Sequence, residues 1–198
     1  MSLASALVGW SLVSPRLPAS WRPVAQAAMG GLLVSITRAP LGLCPPRLLA
    51  GLRLGSLVAS PTACAVAATT LLPPVRRSMA GREPPTTAPD WLLLRIPVGT
   101  VWSEESAFRR ALAGVGSAAF GPRGGRLLQA GAFGLSHIAD ARATGEPATA
   151  TVLVTGIAGW LFGWLADRSG SLAAPMLAHL AVNEAGAIAV LAVRASDR

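Results

Sequence analysis

The stretch Ser171–Arg194, SLAAPMLAHLAVNEAGAIAVLAVR, decides the fold. Its apolar residues run on without alternating, and it is far longer than a membrane barrel strand, which needs ~9–11 alternating residues. A backbone placed in lipid must satisfy its N–H and C=O groups internally, so a run of this kind is a helix. The same reading extends outward to 149–166, 126–140, 90–116, 48–73, 23–37 and 2–14. The expectation is an all-α fold: a polytopic transmembrane helix bundle of about 6–7 membrane helices.

Composition agrees. Hydrophobic residues make up 52% and charged residues 13% of the 198 residues, where soluble domains carry about 25% charged. Mean hydropathy is +0.52. All 17 basic residues are Arg, and the formal net charge is +8. The arginines stand singly or in pairs between apolar runs, as loop charges of a polytopic protein do. That pattern suits a lipid bilayer and argues against a nucleic-acid partner. Loop arginines divide almost evenly between the two sides, so they do not orient the chain. High Ala, Gly and Arg content without Lys points to a GC-rich bacterial genome, hence to a bacterial plasma membrane.

One integrated membrane domain is expected, with N-terminal helices over 1–89 and a motif-bearing core over 90–198. Met1–Val13 lacks the basic start of a signal peptide and is short for a span of ~20 residues. Breakers fall at Ser14-Pro15-Arg16, Arg38-Ala39-Pro40, Pro45-Pro46-Arg47, Gly121–Arg126 and Asp167–Gly170. Pro74–Pro89 reads as the clearest loop, running into Asp90 as helix N-cap. Cys44 and Cys64 form no CxxC or Cys/His metal spacing and read as two small buried residues. Gly156, Gly159 and Gly163 share one helix face, which suits close helix packing.

Polar side chains inside such runs are informative because an ionised one at mid-helix costs about 2.5–3.5 kcal/mol on insertion scales. Three groups stand out: Glu104, Glu105 and Arg109; His137, with Asp140 beyond it; and His179 with Asn183, beside Glu184. Glu105 and Arg109 lie i, i+4 and can pair on one helix face. Glu104 points about 100° away and needs a partner from another helix. His179 and Asn183 are also i, i+4. Three helices thus offer one free acid, two imidazoles and one amide. Each group alone suits a structural ion pair or interhelical hydrogen bonding; three together in one small chain suit a site. The chain has only two histidines, which leaves no three-His zinc set and no His-Glu-x-x-His pair.

The segments Glu104-Glu105-Ser-Ala-Phe-Arg109, Phe133-Gly-Leu-Ser-His137 and His179-Leu-Ala-Val-Asn183 resemble, in order, the motifs of the CPBP (CAAX protease and bacteriocin-processing, Abi) family of intramembrane proteases: Glu-Glu-x-x-x-Arg, Phe-x-x-x-His and His-x-x-x-Asn/Asp. The resemblance covers about 90–194. The family includes type II CAAX prenyl endopeptidases, which remove the last three residues of prenylated proteins, and bacterial members linked to bacteriocin processing or self-immunity. It implies a hydrolase acting on a peptide or prenylated-protein substrate. Glu104 and His137 would activate water, His179 and Asn183 would bind the developing oxyanion, and Glu105, Arg109 and Phe133 would support them. The family has been described both as metalloproteases and as glutamate-dependent proteases. Glu104, His137 and His179 could hold Zn2+, but Asn is a poor zinc ligand, which tilts the expectation to metal independence. Two other readings stand beside this one: a non-catalytic immunity or scaffold protein that binds a partner through the same polar cluster, and a small transporter. The transporter ranks third because neither an inverted repeat nor paired broken helices are visible.

Overall fold

The computed structural model describes residues 2–196; the outermost residues of the expected 1–89 and 90–198 division lie outside them. The described chain is helical, with no strand. Helix α1 is Ser2–Val13, followed by a 3-10 turn at Ser14–Arg16; α2 is Arg22–Thr37, α3 Arg47–Thr69 and α4 Pro73–Ala80. Helix α5 opens at Ala88–Asp90 and continues through two π-wound stretches, Trp91–Trp102 and Glu105–Leu112. Then come α6 (Ala113–Ser136), α7 (Ile138–Thr144), α8 (Ala148–Ser169) and α9 (Ala173–Ser196).

Among the described residues, α3, α8 and α9 are long and apolar enough to cross a membrane. Their outward faces carry Leu57, Leu153, Val154, Ile157 and Ile188, each more than half exposed. Lipid tails solvate such a face; water would not. The chain is an integral membrane protein. Helix α9 packs chiefly on α3, and α6 on α8. Helices α1 and α2 close over α5 and α6, with Leu7, Phe108, Leu112 and Phe133 buried together.

The glycine face of α8 packs as its spacing implies. A Cβ on Gly159 would lie 2.9 Å from Phe133 Cδ1, and one on Gly163 would lie 2.7 Å from Gln129 Nε2. Both neighbours come from α6, so these glycines set how near α6 and α8 can approach. The break expected at Gly121–Arg126 is a kink within α6. Gly121 takes φ 73 and ψ 169, a conformation suited to glycine, and Pro122 follows it.

Four expectations are corrected. The loop over Pro74–Pro89 contains a helix, because Leu72 is extended and the Pro73-Pro74 pair presets the first-turn φ. Helix α4 then docks on α9, where Arg194 Nη1 donates to Ala80 O and Arg82 O at 3.4 and 3.0 Å. Asp90 is not the N-cap: the extended residue before α5 is Thr87, and Asp90 accepts from Arg95 Nε at 2.7 Å instead. Cys44 and Cys64 are exposed rather than buried; small apolar residues in a lipid-facing chain need not turn inward. His137 does not sit within an uninterrupted helix over 126–140. Helix α6 stops at Ser136, and His137 takes φ −88 and ψ 1 between α6 and α7.

Candidate active site

The π-wound α5 presents the first motif. Pro97 has no N–H to donate into a helical ladder, and wide i→i+5 turns recur at functional sites. The winding changes at Ser103 and Glu104, between the two π stretches. Ser103 is buried and its hydroxyl bonds back to Gly99 O and Thr100 O. Glu104 and Glu105 follow and face different partners.

Glu105 is fully enclosed. Its Oε2 lies 3.1 Å from Arg109 Nε, with neither side chain exposed to solvent. This is the i, i+4 pair that the spacing predicts, although it is a charge contact rather than an aligned hydrogen bond. Glu105 Oε1 reaches across to α9 and lies 2.7 Å from His179 Nδ1. A carboxylate only accepts, so His179 donates from Nδ1. The Arg109 guanidinium stacks over Phe133 at 3.9 Å and lies 5.1 Å from the Phe162 ring centroid. Aromatic faces thus shelter a cation that α5 carries into the bundle.

Phe133 joins the three motifs. Besides holding Arg109, its ring meets His137 edge-on at 4.6 Å, Phe108 at 5.2 Å and His179 at 6.1 Å. Phe162 of α8 stacks on the His179 ring at 5.0 Å and 26°. Sequence reasoning missed Phe162. It sits between Gly159 and Gly163, and that position on a close-packed face was the one available signal.

Glu104 Oε2 has no hydrogen-bond partner. The side chain is 26% exposed, and Oε2, itself shielded from solvent, lies 3.8 Å from His179 Nε2. It lines a cleft of about 70 Å³ that also takes in His137, Asp140, Ser103, Ser136 and Trp10. His137 Nδ1 lies 2.8 Å from Phe133 O. A carbonyl cannot donate, so Nδ1 carries the proton and the neutral ring keeps a lone pair on Nε2. Glu104 and His137 therefore share one cleft, and His179 approaches Glu104 from α9.

Asn183 is placed differently. Its Nδ2 donates to His179 O at 3.1 Å, one turn back on its own helix. It lines not the cleft but a neighbouring cavity of about 810 Å³, which Arg77, Arg82, Trp91 and Val190 also border. Of the other acids, Asp140 lines the same cleft as Glu104, while Asp167 pairs with Arg126 at 2.7 Å and Glu146 with Arg82 at 3.2 Å, outside it.

The donors suit zinc only in part. His137 has the arrangement of a metal-bound imidazole, with one nitrogen held by a backbone carbonyl and the other available. Among the described residues, however, no three His, Cys, Asp or Glu side chains are grouped to hold an ion. As arranged, Glu104, His137 and His179 do not make the three-ligand set a catalytic zinc needs.

Residues 86–185 match the family model described as type II CAAX prenyl endopeptidase Rce1-like. The matched stretch contains all three motifs. No curated protein and no solved structure matches the chain.

Proposed function

The chain belongs to the type II CAAX prenyl endopeptidase Rce1-like family, an intramembrane protease family, and we propose that it hydrolyses a peptide bond with water activated by Glu104 and His137, without a metal. The observation that carries this is the pairing within one cleft of a carboxylate oxygen that has no hydrogen-bond partner and an imidazole whose Nδ1 is held by a backbone carbonyl, with Nε2 left to face the cleft chemistry. Both groups can take a proton from water, and a positioned base contributes about 10²–10⁴-fold to rate.

The water oxygen attacks the scissile carbonyl carbon while its proton passes to Glu104. The oxyanion accepts from Nε2–H of His179. Carboxylates lie on both sides of that ring, Glu105 at Nδ1 and Glu104 toward Nε2. Such an N–H donor acts strongly where water is scarce. Collapse breaks the C–N bond, and the departing amine takes the proton back from Glu104, with His137 as the relay. Glu105 and Arg109 fix the His179 ring, and Phe133 and Phe162 fix its plane. Asn183 holds the turn of α9 that carries His179 and acts from the wall of the second cavity.

The substrate is a membrane-associated peptide: a prenylated CAAX-type terminus, or a leader or bacteriocin-related peptide. The absence of Lys among 17 basic residues supports a bacterial plasma membrane. Mass spectrometry of peptides incubated with the protein in liposomes tests the activity. Wild type is expected to release one defined fragment and His137→Ala none. Release by His137→Ala at the wild-type rate refutes the assignment.

A further inference from the structure

The matched family segment begins at residue 86, yet the cleft holding Glu104 and His137 is not built from that segment alone. Its opposite wall comes from α1, the turn after it, and α2: Leu7, Trp10, Ser11, Ser14, Gln26 and Met29. Leu7 fastens α1 in place. It is 3% exposed and packs with Phe108, Leu112 and Phe133, the same aromatic group that supports Arg109 and the histidines.

Trp10 lies one helical turn beyond Leu7. Its indole Nε1 is buried and has no acceptor. Its neighbours differ: Ser11 donates to Val8 O at 2.7 Å, and Trp102 Nε1 donates to Ala27 O at 3.3 Å. An indole N–H can only donate, and a buried donor without an acceptor is costly. An extended peptide brings a backbone carbonyl at every residue. The cleft's size narrows the occupant further. About 70 Å³ is room for a few waters at ~10–15 Å³ each, far below the ~300–1,000 Å³ of pockets for drug-sized ligands.

We propose that Trp10 is a substrate-binding residue: its indole N–H donates to a backbone carbonyl of the extended peptide in the cleft, and its ring limits the side chain seated beside the scissile bond. This rests on the endopeptidase reading. It assigns selection of the substrate to α1 and α2, outside the matched segment. The peptide has a small residue on the C-terminal side of the cut bond, and a lipid tail carried by the residue before it stays outside the cleft.

The test uses the full chain in liposomes and a quenched lipidated CAAX-type peptide. Trp10→Phe keeps the ring and removes the donor; KM should rise about tenfold with kcat within about twofold, the mark of lost uniform binding. Trp10→Ala should raise kcat/KM for a peptide with Phe beside the cut bond, relative to one with Ala there, by at least about tenfold. A benzophenone amino acid at position 10 or 29 should capture the peptide, and one at the 69% exposed Trp21 should not. The capture at position 29 serves if the Trp10 variants do not fold. Unchanged KM and selectivity, or no capture at either position, overturns the proposal; if Glu104→Gln still abolishes cleavage, the endopeptidase reading survives it. No cleavage by wild type together with no capture overturns both.

Discussion

Glu105→Gln removes the one carboxylate that touches both Arg109 and His179. The ion pair is 3.1 Å long, and both side chains are fully shielded from solvent. Arg109 Nη1 and Nη2 have no hydrogen-bond acceptor, and an aromatic face lies against the guanidinium. Breaking a buried pair by removing one partner costs about 3–5 kcal/mol, because the other charge stays buried without compensation. At 1.4 kcal/mol per tenfold that is a factor of about 10²–10³ or more in the folded population. The Gln amide oxygen can still accept from His179 Nδ1, so most of the loss belongs to Arg109. Replacing both charges, as Glu105→Gln with Arg109→Met, should bring stability back to within about 1–2 kcal/mol of wild type, since apolar replacements of buried pairs are often neutral. Equilibrium unfolding in mixed micelles, followed by tryptophan fluorescence, supplies the four corners of the cycle. A coupling of at least about 2 kcal/mol is expected; one below about 0.5 kcal/mol, the range of independent sites, refutes the pairing.

Other outcomes follow from the same geometry. Gly159→Ala places a Cβ 2.9 Å from Phe133 Cδ1; stability should fall by about 1–3 kcal/mol, and activity with it because Phe133 bears on His137 and His179, as thermal denaturation and peptide turnover would show. His179→Ala should lower kcat by about 10²–10³-fold, and Asn183→Ala by clearly less, since His179 Nε2 lies 3.8 Å from Glu104 whereas the Asn183 amide is bonded to the His179 carbonyl of its own helix; equal losses would place Asn183 at the reacting carbonyl. Turnover should persist under a strong chelator, and added Zn2+ should not raise it; loss under chelation with recovery on Zn2+ would make the protein a metalloenzyme.

The helical class and the motif residues were legible for one physical reason: in lipid, apolar runs must be helical and polar residues within them must have a purpose. The Glu105–Arg109 pair and the packing face of Gly156, Gly159 and Gly163 followed from helical spacing. What was not legible depends on contacts between segments. Nothing in the spacing shows that Glu105 bonds His179 across 74 residues, that Phe162 stacks on that ring, or that α1 closes the cleft. Nor does hydropathy distinguish a lipid-facing residue from a buried one, so the sequence does not show that Cys44 and Cys64 are exposed. Helix α4 was hidden by its prolines, which read as breakers although Pro73 and Pro74 open a helix. Asn183 shows a finer limit: its i, i+4 spacing from His179 gives a shared helix face but not that its amide bonds the His179 carbonyl of its own helix.

The most direct test of the account compares the cleavage rates of wild type and Glu104→Gln at matched concentrations of folded protein in liposomes, on one peptide that the wild type cuts. The substitution keeps size and removes the base, so the rate should fall at least about 100-fold while the unfolding midpoint stays near that of wild type. Cleavage by Glu104→Gln at the wild-type rate would contradict the central claim.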